Sequence, residues 1–206
     1  MCKSPSVVYI HGFNSSPQSF KAQQLRAAWR QLGLPEQHLL IPDLHHHPER
    51  AMAQLHAAIA QLEQPVLIGS SLGGYYATYL AQQHQLKALL INPAVRPHTL
   101  FANFTTEQEN LYSGERWLLT QAHVQALAAL EVPPPADAER FSVWLQTGDE
   151  TLDYWLAEQY YSGCSVVIEQ GGDHGFQRFA EHFPALFAFV GLESSALQKL
   201  DFSAFE

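Results

Sequence analysis

Cysteine is scarce in this chain: Cys2 and Cys164 are its only 2 among 206 residues, too few for a disulfide framework. Positive charge is scarce too. Eleven Lys and Arg face 20 Asp and Glu, a net charge of −9 that leaves no basic footprint for nucleic acid or an anionic membrane. No apolar run approaches the roughly 20 residues that a bilayer crossing needs. The N-terminus carries one lysine, then Pro5, then the short run Val7-Val8-Tyr9-Ile10, which does not read as a signal peptide. Internal repeats and low-complexity tracts are missing as well. The expectation is a reduced, cytoplasmic protein, a monomer or weak homodimer, with neither a nucleic-acid nor a membrane partner.

Hydrophobic residues, by contrast, make up 47% of the chain, enough for one compact domain with a substantial core. Six short apolar runs, at residues 7–10, 39–41, 66–68, 88–91, 141–146 and 165–168, alternate with longer stretches of helical period. Phe20, Leu25, Ala28, Trp29 and Leu32 share one helical face; further helices are expected at 48–62, 73–83, 152–161 and 175–189. Runs that are apolar throughout imply strands buried on both faces. The expected fold is therefore α/β, a mostly parallel, doubly wound sheet of about six strands. One interval breaks the rhythm. Residues 93–139 hold helix-like stretches at 107–111 and 115–130 and then Pro133-Pro134-Pro135, and they read as a small helical lid over the sheet.

The most telling local feature is Gly69-Ser70-Ser71-Leu72-Gly73, directly behind Val66-Leu67-Ile68 and ahead of helix-forming sequence. A strand that turns abruptly into a helix strains its turn residue, and small residues on either side let the two elements approach. The Ser71 hydroxyl is then pushed out of the sheet as a nucleophile. The Leu72 amide is left at a helix N-terminus, free to donate to an oxyanion. A serine is weak at neutral pH and needs a base, which in turn needs an orienting carboxylate. On this architecture the order is Ser, acid, His, each in a loop after a strand. Thr147-Gly148-Asp149 follows the fifth run and Gly171-Gly172-Asp173-His174-Gly175 the sixth. His174 is the expected base and Asp149 the expected acid. Asp153 is the alternative acid, with Asp149 then capping a helix at Thr151. His11-Gly12-Phe13 follows the first run and is expected to offer the Phe13 amide as the second oxyanion donor.

Other residues have plainer readings. Ser70 is expected to bond locally, Asp173 to serve as a loop acceptor and Glu150 to be solvated. Asn14, Ser15 and Ser16 read as a turn that could line the pocket. Adjacent residues point different ways, so His45-His46-His47 reads as a solvated loop rather than a metal site. Phe101, Phe104, Leu111, Tyr112 and Trp117 read either as an apolar pocket wall or as the lid's own core.

Taken together, the motifs resemble the YqiA/YcfP-type esterases, a compact branch of the α/β-hydrolases. The resemblance rests on Tyr9-Ile10-His11-Gly12-Phe13-Asn14-Ser15-Ser16, on residues 69–77, on Ile91-Asn92-Pro93-Ala94 and on residues 147–154 and 171–176. It implies a small carboxylic-ester hydrolase with Ser71 as nucleophile, His174 as base and Asp149 as acid, needing no cofactor and no metal. The implied partner is a small-molecule ester or thioester. An acyl-CoA thioesterase and a catalytically silent hydrolase-fold binding protein are the alternatives. The tail beyond Gly191 lies outside the shared motifs.

Overall fold

A computed structural model describes residues 4–101 and 106–205; Cys2 and Phe104 lie outside the described residues. The first half of the chain forms β1 (Val7–Ile10), α1 (Phe20–Gln31), β2 (Leu39–Leu40), α2 (Pro48–Ile59), β3 (Val66–Ser70), α3 (Leu72–His84) and β4 (Ala88–Ile91). There follow α4 (Pro97–Phe101), β5 (Glu107–Glu109), β6 (Arg116–Leu118), α5 (Gln121–Ala128) and β7 (Phe141–Gln146). The chain then makes α6 (Tyr154–Tyr160), β8 (Ser165–Glu169), α7 (Phe183–Phe189) and α8 (Ser194–Leu197). Six strands pair in parallel in the order β2-β1-β3-β4-β7-β8, as the six apolar runs predict.

Alternation along the four central strands explains why those runs lack a polar face, whereas the edge strand β8, expected to be buried on both faces, leaves Ser165 and Val167 exposed. Val8, Ile10, Leu67, Leu90 and Val143 join Leu55 of α2 and Leu80 of α3 in one core. Val7, Tyr9, Ile68, Leu89 and Trp144 join Trp29 of α1 and Phe187 of α7 in the other. The tail adds to this second core: Leu200 and Phe205 are buried in it, and Gln24 Nε2 donates to the Phe205 carbonyl at 2.7 Å.

Two further sequence expectations are corrected. The insertion between β4 and β7 is not wholly helical, because 107–111 and the start of 115–130 form the antiparallel hairpin β5–β6. Asn110 is the physical cause. Its Oδ1 accepts the amides of Tyr112 and Ser113, and Gly114 follows in the left-handed region at φ +71, so the backbone turns back instead of propagating a helix. Trp117 is buried between exposed neighbours, the period of a strand. A helix starts only after Thr120, whose amide donates to His123 Nδ1 in a capping box. The last predicted helix also begins later, at Phe183, since Pro184 cannot sit further inside a helix.

The tightest packing lies where β1, β3 and α3 meet. A methyl group at Gly73 would stand 2.0 Å from the Ile10 carbonyl oxygen, and one at Gly69 2.4 Å from the Gly73 oxygen. Both contacts are with backbone, which cannot swing aside. Gly73→Ala is therefore expected to cost roughly 3 kcal/mol or more. Thermal denaturation should show a Tm lower by about 6–12 °C at this chain length. An unchanged Tm would contradict this packing.

Candidate active site

The ends of β1, β3, β4, β7 and β8 share the carboxyl edge of the sheet, where loops from distant parts of the sequence converge. At β3 the strand ends on Ser70 and the helix begins on Leu72, so Ser71 alone makes the turn. Its backbone sits at φ 56 and ψ −122, a conformation that costs a non-glycine residue about 1–3 kcal/mol. Bonds on both sides hold it: the Ser71 amide donates to Ile91 O at 3.0 Å, and its carbonyl accepts from Gly74 at 2.9 Å and Ala94 at 3.0 Å. Gly12 lies against it; a Cβ there would be 3.2 Å from Ser71 Cβ.

Ser71, His174 and Asp149 form one hydrogen-bonded chain. His174 Nε2 lies 2.9 Å from Ser71 Oγ, and His174 Nδ1 lies 2.9 and 3.0 Å from the two Asp149 oxygens. The Asp149 side chain is 2% exposed, and its Oδ1 also accepts the amides of Thr151 at 2.9 Å and Leu152 at 2.8 Å. With the carboxylate on Nδ1, the imidazole keeps its proton there and turns a bare Nε2 lone pair toward the serine. Asp149 thus makes both the contact expected of an acid and the helix-side contact considered as its alternative. Asp153 points elsewhere and caps α6, accepting the Trp155 amide at 2.9 Å. Asp173 bonds within its loop, to Gln177 Nε2. Glu150 is exposed, yet it is more than solvated: its Oε2 accepts the His174 amide at 3.0 Å.

Two residues outside the expected site residues hold the His174 loop. Gln146 is 0% exposed; its Oε1 accepts the amides of Asp173 and Gln177, and its Nε2 donates to Gln177 O and Glu169. Asn92 Oδ1 accepts the Gln146 amide at 3.0 Å, and its Nδ2 donates to Asp173 O at 3.0 Å. The available signal was a polar residue closing an otherwise apolar buried strand, where an unpaired amide would be costly.

On the other side of Ser71 is the turn after β1. Leu72 is the first residue of α3, so its amide has no intrahelical acceptor. His11 is buried and accepts the Leu44 amide on Nε2 at 3.2 Å; burial also holds its pKa below the usual value. Phe13 packs on Phe101 and Trp117, at centroid distances of 5.0 and 5.5 Å. Asn14 and Ser15 tie the β5–β6 hairpin to this turn. Asn14 Oδ1 accepts from Trp117 Nε1 and Ser15 O from Asn110 Nδ2, at 3.1 and 3.0 Å. A cleft of about 360 Å³, within the range that holds small ligands, opens over Ser71 and His174. Gly12, Phe13 and Lys21 line it, Tyr9 and buried Ser70 stand beside them, and the hairpin tip adds Leu111 and Tyr112. Of the insertion's aromatic and aliphatic residues, Phe101 and Trp117 therefore pack behind Phe13, whereas Leu111 and Tyr112 face the cleft.

A family model described as the uncharacterised protein family UPF0227 matches residues 6–191, nearly the whole of this arrangement. The chain belongs to this family. A UPF0227 protein of Shewanella woodyi is 33% identical over 95 residues, 44% of this chain and 52% of that protein, so the chain spans about half the length of the curated relative it matches. Among solved structures, Est1E from Butyrivibrio proteoclasticus with ferulic acid bound superposes with a TM-score of 0.71 at 15% identity, covering 91% of this chain and 88% of that one. Alpha/beta hydrolase domain-containing protein 10 from mouse gives 0.70 at 14% identity, covering 90% and 89%. The monoacylglycerol lipase of Paleococcus ferrophilus gives 0.60 at 14%, covering 96% of each chain. These likenesses establish the α/β-hydrolase fold. Among the described residues no helix is long and apolar enough to cross a membrane.

In this UPF0227 chain the three adjacent histidines are not a solvated loop. His46 stacks on Trp117, centroids 4.6 Å apart and planes 12° apart, while His47 and His123 approach to 4.6 Å. They seat the insertion on the core by ring stacking against Trp117 and His123. Among the described residues no three His, Cys, Asp or Glu side chains are grouped to hold a metal ion. Burial, then the neighbouring His47, His46 and His45, holds His123 down to about 4. Its Nε2 has no hydrogen-bond partner among the described residues. A released His123 titrates near 6.5, so its neutral, docked form contributes fully above that pH and is lost as pH falls toward the docked value. Hydrogen exchange in β5, β6 and α5 should accordingly show weaker protection at about pH 5 than at about pH 7, after correction for intrinsic rates. His123→Gln should reduce that dependence; equal protection at both pH values would contradict it.

Proposed function

We propose that this protein is a serine carboxylic-ester hydrolase working through an acyl-enzyme. The observation that supports this reading is the unbroken chain from Ser71 Oγ through the His174 ring to Asp149, with both links at 2.9 Å. In the proposed reaction Ser71 Oγ attacks the ester carbonyl while His174 Nε2 takes its proton. The amides of Phe13 and Leu72 donate to the developing oxyanion. His174 returns the proton to the departing alcohol, leaving the acyl group on Ser71. A water then attacks with the same base, the acid departs and Ser71 is regenerated. Asp149 keeps the imidazole in the required tautomer and stabilises its positive charge throughout. A fluorophosphonate probe tests the proposal directly. It should add covalently to the peptide that carries Ser71, and His174→Ala should abolish the labelling. An inert Ser71 would sink the esterase reading and favour a hydrolase-fold binding protein.

A further inference from the structure

Lys21 has no role in the reaction proposed above, yet its side chain lines the same cleft as Ser71 and His174. Leaving aside His174, it is the one basic residue among the described residues that line this cleft, in a chain whose net charge is −9. One of its three N–H donors goes to the Gly175 carbonyl at 2.6 Å. Among the described residues no carboxylate lies within 4.0 Å of Nζ, so the ammonium has no ion-pair partner. Asp173 and Asp149 are close enough to act on it electrostatically, yet neither lines the cleft. Asp149 is already committed to His174 and two amides, and Asp173 to Gln177.

Lys21 is half-buried; partly withdrawing an ammonium from water with no carboxylate in contact is costly, and burial lowers its pKa to about 8 despite the two carboxylates nearby. A solvated lysine elsewhere on α1 would avoid that cost. An anion in the cleft would supply the missing partner for Nζ. We infer that the cleft selects esters bearing an anionic group, a carboxylate or a phosphate, that pairs with Lys21. This deepens the esterase reading and rests on it. The anion can belong to the acyl half or to the alcohol half of the ester, and matched substrates distinguish the two.

The acyl arm compares the 4-nitrophenyl half-ester of adipic acid with 4-nitrophenyl heptanoate. The alcohol arm compares 4-butyryloxybenzoate with phenyl butyrate. In one arm the wild-type preference in kcat/KM for the anionic member should fall about tenfold or more in Lys21→Met, mainly through KM. Lys21→Arg should retain most of it. Since Lys21 also clips the His174 loop through Gly175, a loss common to both members is a positioning effect, and the ratio cancels it. Wild-type preference should shrink as ionic strength rises and as pH passes upward through the Lys21 pKa, where the cation is lost. Equal losses for both members in both arms, or a wild type with no anionic preference, would overturn the inference while leaving the esterase reading intact. A wild type that hydrolyses none of the four esters would instead overturn the esterase reading. If Lys21→Met does not fold, the salt and pH dependence of the wild type still decides.

Discussion

Ser71→Ala should lower kcat on 4-nitrophenyl butyrate by roughly 10⁵- to 10⁶-fold, the loss seen when a triad nucleophile is removed. The geometry indicates why the loss should fall on chemistry and not on folding. Ser71 Oγ has one recorded partner, His174 Nε2, so alanine removes that contact and nothing that packs the sheet. The bonds that hold the turn are all backbone: the Ser71 amide to Ile91 and its carbonyl to Gly74, Tyr75 and Ala94. They survive the substitution, and the circular dichroism spectrum and Tm should change little. KM should change little too, because the hydroxyl contributes to bond making more than to ground-state binding. Activity retained to within about tenfold would end the proposal.

The second large effect separates two carboxylates four positions apart. Asp149→Asn should cost about 10⁴ in kcat, whereas Asp153→Ala should leave kcat nearly unchanged. In the asparagine variant Oδ1 is the atom already tied to the Thr151 and Leu152 amides, so the carbonyl stays there. The new amino group then takes the place of Oδ2, 2.9 Å from His174 Nδ1. That donor favours Nδ1 as an acceptor over its longer 3.0 Å contact with Oδ1, which shifts the proton to Nε2, where it blocks removal of the Ser71 proton. Asp153→Ala removes a helix cap instead, a loss of about 1 kcal/mol, visible as a Tm lower by about 2–4 °C. A kinetic defect in the Asp153 variant with a normal Asp149→Asn enzyme would reverse the assignment.

Much of this is legible in the sequence. Val66-Leu67-Ile68 followed by Gly69-Ser70-Ser71-Leu72-Gly73 encodes its strand, turn and helix locally, through apolar burial and the absence of Cβ atoms where backbones cross. The insertion was misread because Glu107-Gln108-Glu109 and Arg116-Trp117-Leu118 have ordinary helical composition. What overrides it is the Asn110 side chain bonding its own turn, and the Trp117 indole bonding Asn14 Oδ1, 103 residues away in sequence. The His45-His46-His47 segment was misread for the same reason: polarity says solvent, but stacking on Trp117 says interface. The roles of Gln146 and Asn92 are not legible in the sequence, because what each bonds cannot be read from its neighbours.

The sequence by itself determined the six strands of the main sheet, the burial of its central strands on both faces and the residue types able to attack, accept a proton and orient, since each is written in a few contiguous positions. Only the tertiary structure decided which aspartate faces His174, how the insertion folds and what else enters the cleft. Those outcomes depend on contacts between distant parts of the chain: 25 residues from Asp149 to His174, and 154 from Lys21 to Gly175. Local propensity carries no information across such separations; the sheet does, by gathering the carboxyl ends of its strands at one edge.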